Sequence, residues 1–198
     1  MDDPCRMLLE SYRQAQTLGD SNSRFFSMTT LDESGCPVCR IVTLREITME
    51  GILIYINRES PKIEQLKRNP VYELLFFWPS LLRQFRVRGR YEIRVDAGQG
   101  RNWQTKSYAG KLYDLFHVHG VKQSSILPSR DFYLQKAAEV KSRFPAESDL
   151  EMPAENSCIL FIPNLIESWY GSMEDHLHDR RLFHRLKDGA WTEQVLVP

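Results

Sequence analysis

The chain has little of the features that mark a specialised class. Net charge is missing: 26 Lys and Arg balance 26 Asp and Glu over 198 residues. Without a basic excess or a like-charge run, there is no electrostatic footprint for nucleic acid and no charged tail. Long apolar runs are missing too. Cys158–Ile162 is among the longest, far below the roughly 20 residues that span a bilayer. The 4 cysteines are too few for a disulfide-stapled scaffold of this length. The opening Met-Asp-Asp-Pro-Cys-Arg lacks the charged-then-apolar layout of a secretory signal. No internal repeat or low-complexity segment is visible. The expectation is a cytoplasmic protein with one domain over residues 1–198, no nucleic-acid or membrane partner, and enough chain for a sizeable core.

What is present is a succession of short strand patterns. Asp3 before Pro4 predicts the N-cap and first position of a helix reaching about Leu18. Strands are expected at Phe25–Leu31, Val38–Ile47 and Ile52–Asn57, with turns at Ser34-Gly35 and Glu50-Gly51, as an antiparallel meander. Ser60-Pro61 opens a helix that ends before Asn69-Pro70. Strands at Val71–Trp78 and Arg83–Val95 follow, then a polar segment, Gly98–Ser129, read as irregular or helical. Ser129 caps a helix with Tyr133, Ala137, Val140 and Phe144 at helical spacing. Pro145–Asn156 reads as an exposed linker. Closing strands are expected near Cys158–Ile162, Ile166–Tyr170, Arg180–Leu186 and Trp191–Val197, the last two joined by an Asp188-Gly189 hairpin turn. So many antiparallel strands predict a mainly β fold with flanking helices, a closed or split barrel.

Arg40, Arg45 and Lys62 are the cations of interest. Strand parity puts Arg40 and Val42 on one face and Arg45 on the other, unless a bulge intervenes. Ser60 and Lys62 open a helix, where unsatisfied N–H groups and the dipole favour anions, and an arginine fork suits phosphate. Solvated strand and turn charges would show the same pattern. Cys36-Pro-Val-Cys39 has redox spacing but sits at a strand start with no second pair, and reads as chance or minor redox sensitivity. His117-Val-His119 and His176-Leu-His178 could each place two imidazoles on one strand face. No further ligand is suitably spaced, so no metal is expected. Phe76-Phe77-Trp78 reads as barrel core or dimer contact.

Arg40-Ile41-Val42-Thr43-Leu44-Arg45, Tyr55-Ile56, Ser60-Pro61-Lys62, Gln84, Gln123-Ser124, Trp169 and Arg180, in this order and spacing, resemble the pyridoxamine 5'-phosphate oxidase family. The resemblance runs from about Phe25 to Pro198. It implies an antiparallel split β-barrel of Greek-key type that forms a homodimer with FMN at the interface, with those residues holding the cofactor. Arg40, Lys62 and Gln84 would come from one subunit and Trp169 and Arg180 from the other, with Gln123 and Ser124 unassigned. It also implies an oxidase: hydride passes from a substrate carbon to flavin N5, and O2 then reoxidises the flavin to give H2O2. His176 and His178 would orient the substrate, and Arg45 would meet an anionic group on it.

The pattern departs from the family at several points. Arg45 stands for a lysine, Pro61 for a second phosphate cation, Ile56 for a threonine and His176 for an arginine. The Tyr, Arg and Ser that hold a substrate phosphate in the family fall on Lys106, Gly110 and Asp114. A shifted alignment offers Tyr108, Lys111 and Tyr113 instead. The phenazine-biosynthesis flavin oxidases are similar at the FMN positions and also depart in this middle segment. A distinct aromatic substrate without phosphate is therefore one alternative, and a non-catalytic flavin- or pyridoxal-phosphate-binding protein is another.

Overall fold

The structure, a computed structural model, describes residues 3–94 and 97–198; Val95, expected at a strand end, lies outside them. The elements run α1 (Pro4–Thr17), β1 (Phe25–Leu31), β2 (Pro37–Thr43), β3 (Glu46–Ile47), β4 (Ile52–Asn57), α2 (Pro61–Arg68), β5 (Glu73–Trp78), β6 (Arg83–Arg94), α3 (Ala97–Thr105), α4 (Tyr108–His119), α5 (Arg130–Arg143), β7 (Asn156–Tyr170), β8 (Asp179–Arg185) and β9 (Trp191–Leu196). Among the described residues no helix is long and apolar enough to cross a membrane.

The local chemistry explains several element boundaries. Asp3 accepts the Cys5 N–H at 2.8 Å and Pro4 occupies the first turn of α1, so one otherwise orphan donor is satisfied. Ser129 does the same for α5, accepting from Phe132 N–H at 3.1 Å. The β8–β9 hairpin turns at Gly189, whose φ of 89° lies where a side chain is disfavoured. Two strand expectations change. The run Val38–Ile47 breaks into β2 and β3, because Leu44 is buried and gives its N–H to Arg24 O at 2.9 Å rather than to the ladder. The two runs near 158–162 and 166–170 are one strand, β7, which passes through Pro163-Asn164; Leu165–Tyr170 then pair with β8.

The chain forms two compact units, residues 1–54, 65–92 and 159–198 in the first and residues 55–64 and 93–158 in the second; β4, α2, β6 and β7 contribute to both. The sheet, nine-stranded among the described residues, has the order β2-β1-β5-β6-β7-β4-β3, with β8 on β7 and β9 on β8. The first unit's core is aromatic: Phe26 stacks on Phe76 at 5.1 Å, Phe76 meets Trp78 at 5.9 Å, and Trp78 meets Phe85 at 5.8 Å. Their alternation with half-exposed neighbours in β5 and β6 leaves the opposite face of those strands for polar residues. α1 closes the core with Leu8, Tyr12 and Ala15.

In the second unit, α3, α4 and the segment before β7 pack Trp103, Leu115 and Leu150 together, flanked by Tyr108, Leu112 and Phe144. The polar segment Gly98–Ser129 is thus largely two helices. The expected linker Pro145–Asn156 carries a buried anchor, Leu150, because that side chain finds an apolar slot between helices.

Candidate functional site

In the first unit a cavity of about 400 Å³ is lined by Phe77, Gln84, Arg86, Glu167, Trp169, Arg180 and Pro198. Alternation explains the set. Phe85 and Val87 of β6 enter the core, so Gln84 and Arg86 face the other way. In β7, Glu167 and Trp169 share a face, and Arg180 of β8 stands opposite Trp169 in the ladder. Glu167, with 11% of its side chain exposed, accepts from Arg180 Nε at 3.1 Å and from Arg86 Nη1 at 3.2 Å. Arg86 also forks onto Glu73, with Nε–Oε1 and Nη2–Oε2 both 3.1 Å. Burial works against ionisation of Glu73, but hydrogen bonds from Arg86 and Arg88 outweigh it and hold the carboxyl below its ordinary range.

Gln84, Trp169 and Arg180, far apart in sequence, were expected to touch the cofactor and do converge. Within one chain Gln84 lies with Trp169 and Arg180, because it faces the cavity from the strand beside β7. Arg86 and Glu167 were missed, although the alternation Gln84-Phe85-Arg86 and Glu167-Ser168-Trp169 carries their facing.

The loop after Trp169 holds both flagged histidines, so they lie on a loop rather than a strand face. His178 Nδ1 accepts the Ser172 N–H at 3.0 Å. Nδ1 therefore carries the lone pair, and Nε2 bears the proton of the neutral ring. The His178 ring lies 4.8 Å from the Trp169 ring and 6.1 Å, nearly perpendicular, from His176. His176 itself adopts φ 57°, a left-handed conformation uncommon for a side-chain-bearing residue. Asp175 braces the loop by accepting from Ser172 Oγ and from Leu177 N–H at 3.0 Å.

On β2, parity holds: Arg40 and Val42 are half-buried, while Ile41, Thr43 and the following Arg45 are exposed. Arg40 reaches across to Thr30 Oγ1 at 2.6 Å, Met28 O at 3.3 Å and Gln65 Oε1 at 2.7 Å. All three acceptors are neutral, so the guanidinium is oriented without a counter-charge, and burial lowers its pKa.

In the second unit, Tyr55 and Ile56 end β4 half-buried, and Ser60 precedes α2, which begins at Pro61-Lys62. Ser60 is 1% exposed and its Oγ has no hydrogen-bond partner, an orphan of a kind that native interiors rarely leave. Gln123 and Ser124 form the corner of a turn closed by Ser125 N–H to Lys122 O at 3.2 Å, with Ser124 at φ 65°. Strained positions of this kind concentrate at ligand sites.

His117 and His119 fall on α4, where a spacing of two turns the rings to different sides. His117 packs edge-on against Tyr113 at 4.6 Å and His119 lies 5.5 Å from Phe144. Tyr108 donates to Phe144 O at 2.6 Å, Lys111 pairs with Glu147 at 2.6 Å, and Lys106 pairs with Asp114. Cys36 and Cys39 are exposed free thiols, and no cluster of three or more potential metal ligands occurs among the described residues.

A family model described as pyridoxamine 5'-phosphate oxidase matches residues 14–144. A pyridoxine/pyridoxamine 5'-phosphate oxidase of Hyphomonas neptunium is 30% identical over 197 residues, covering 100% of this chain and 88% of its own. One from Neisseria meningitidis serogroup C is 32% identical over 172 residues, covering 87% and 78%. Among solved structures, PhzG from Burkholderia lata, in complex with tetrahydrophenazine-1-carboxylic acid, superposes with a TM-score of 0.82 at 19% identity, covering 100% of this chain and 94% of that one. A pyridoxamine 5'-phosphate oxidase-related, FMN-binding protein from Nostoc punctiforme gives 0.72 at 16% identity with full coverage of both. These two likenesses show the fold, the split barrel expected from the sequence.

Proposed function

We propose, from the premise that this chain belongs to the pyridoxamine 5'-phosphate oxidase family, that it is an FMN-dependent oxidase. The observation that carries the reading is the convergence of Gln84, Trp169 and Arg180 on one cavity. The residues present also suit the cofactor. Arg40 is an oriented cation with neutral acceptors only, and Ser60 offers a buried, unpartnered hydroxyl. Arg40, Ser60 and Lys62 would bind the phosphate. Tyr55, Gln123 and Ser124 would bind the ribityl chain and ring edge, and Gln84, Trp169 and Arg180 the ring from a second copy of the chain. Bound FMN supplies a two-electron acceptor that takes hydride from a substrate carbon and passes the electrons to O2.

The chain's own part is binding and orientation. With Nδ1 occupied by the Ser172 N–H, His178 can present only Nε2–H, a fixed donor for a substrate oxygen. His176, perpendicular to it, would complete that side of the substrate, and Arg45 would meet an anionic group. A substrate lacking phosphate is favoured by one observation. Of Tyr108, Lys111 and Tyr113, which a shifted alignment offers for the missing phosphate site, Tyr108 and Lys111 are committed to internal partners, and Tyr113 packs edge-on against His117.

The test is the cofactor of the purified protein. A yellow protein that releases FMN, and not FAD, supports the reading. A colourless protein that does not take up added FMN overturns it.

A further inference from the structure

Three charged side chains of the cavity, Arg86, Glu167 and Arg180, form a single cluster. Glu167 Oε1 accepts from Arg180 Nε at 3.1 Å, while Arg86 Nη1 reaches Oε2 at 3.2 Å and Oε1 at 3.4 Å. Arg86 is held from behind by its fork onto Glu73, which also takes Arg88 Nε at 2.6 Å. Arg180 is tied through Nε to Glu167, and its Nη1 makes only a long contact of 3.5 Å to Val197 O. The outer N–H groups of that guanidinium are left for a ligand. On the cavity wall two positive charges face one negative charge.

Such a cluster does little for stability. Removing an Arg–Glu–Arg group from water costs about what the mutual attraction returns, and packed apolar side chains fill the same space as well or better. Its place on a wall shared with Gln84 and Trp169 points to a ligand instead. An isoalloxazine ring is neutral when oxidised and gains negative charge around N1 on reduction, so a wall with one net positive charge favours the reduced form.

We propose that Glu167 is a positioning residue for the flavin. It fixes Arg86 and Arg180 as a cationic pair against the cavity and limits that pair to one net positive charge, which sets the reduction potential of the bound cofactor. The proposal rests on the FMN reading above.

The experiment titrates oxidised and dithionite-reduced FMN onto the unmodified protein, Glu167→Gln, Glu167→Asp and Arg86→Met, with thermal melting as the folding control. In Glu167→Gln the second positive charge is unmasked. The ratio of affinities, reduced over oxidised, rises about tenfold, the scale of one unit charge several Å away in a half-buried site. For a two-electron couple that is about 30 mV in midpoint potential. Glu167→Asp returns towards the unmodified ratio, and Arg86→Met, which removes one cation, lowers it. A purely structural role would weaken both redox forms equally in every variant, and that result overturns the proposal while leaving the FMN reading intact. If Glu167→Gln does not fold, the direction of the shift in Arg86→Met decides. An unmodified protein that binds neither form of FMN overturns both readings.

Discussion

Gly171 leaves no room for a side chain beneath Trp169. A Cβ on Gly171 would stand 2.6 Å from Cη2 and 2.9 Å from Cζ3 of the indole, and 3.1 Å from Leu82 Cβ. The backbone has little freedom to retreat, because the Gly171 N–H is bonded to Leu82 O at 2.7 Å. The bare α-carbon therefore fixes where the ring lies, against His178 on one side and the cavity on the other.

Gly171→Ala is expected to turn Trp169 out of place. FMN affinity should fall about tenfold, roughly 1.4 kcal/mol, with a changed near-ultraviolet circular dichroism spectrum and an unchanged far-ultraviolet one. Fluorescence titration with FMN checks this. An unaltered affinity would show that the indole does not contact the cofactor.

Arg40→Ala and Lys62→Ala should each weaken FMN binding. A charge-assisted hydrogen bond contributes about 1.5–3 kcal/mol, or roughly 10- to 100-fold in affinity. Titration showing unchanged affinity in both variants would place the phosphate cradle elsewhere.

His117 should make stability fall on mild acidification. Burial lowers its pKa, opposed by the bond to Val121 O and by Asp114 and aided by Lys62. The unfolded chain then binds the proton more readily than the fold does. The contribution is complete above about pH 6.5 and is lost as pH falls from there through the lowered native value. Nδ1 faces the Val121 carbonyl at 3.3 Å and Nε2 is buried without a partner, so a second proton finds no acceptor. Denaturant unfolding at a series of pH values should show this slope, and His117→Gln should flatten it.

Turnover of pyridoxine or pyridoxamine 5'-phosphate should be slow or absent. Asp114 lies at a position where the resemblance would place a phosphate contact. Loss of two charge-assisted contacts costs about 10²- to 10⁴-fold if the losses add. Steady-state H2O2 release from both compounds, beside His176→Arg, measures it. Brisk turnover by the unmodified protein would mean that the phosphate is held elsewhere.

The protein should be a dimer that loosens when FMN is removed, because a ligand shared by two chains stabilises the assembled form by mass action. Light scattering that finds a monomer with stoichiometric FMN would contradict the shared site.

Local rules made much of this legible. Asp3 and Ser129 cap as their side chains dictate, Gly189 turns its hairpin, and parity separates Arg40 from Arg45. The sites that escaped depend on neighbours in space. Arg86 and Glu167 each show the right alternation, yet nothing local says that β6 and β7 lie side by side with these residues 81 positions apart. His117 and His119 misled because a two-residue spacing means one face on a strand and divergent faces on a helix. The weak apolar patterning of the middle segment did not decide between the two.

The order of strands along the chain also bears on how the protein is made. Arg86 leaves the ribosome 81 residues before Glu167, roughly 4–16 s at the usual 5–20 residues per second. Until β7 arrives, β6 has only β5 as a partner, and it waits as an unpaired edge beside other nascent chains. Arg83, Arg86, Arg88, Arg90 and Arg94 lie along that strand, and charged side chains on an open edge discourage pairing with a stranger. The arginines that later serve the cavity and its surroundings would first act as guards against aggregation.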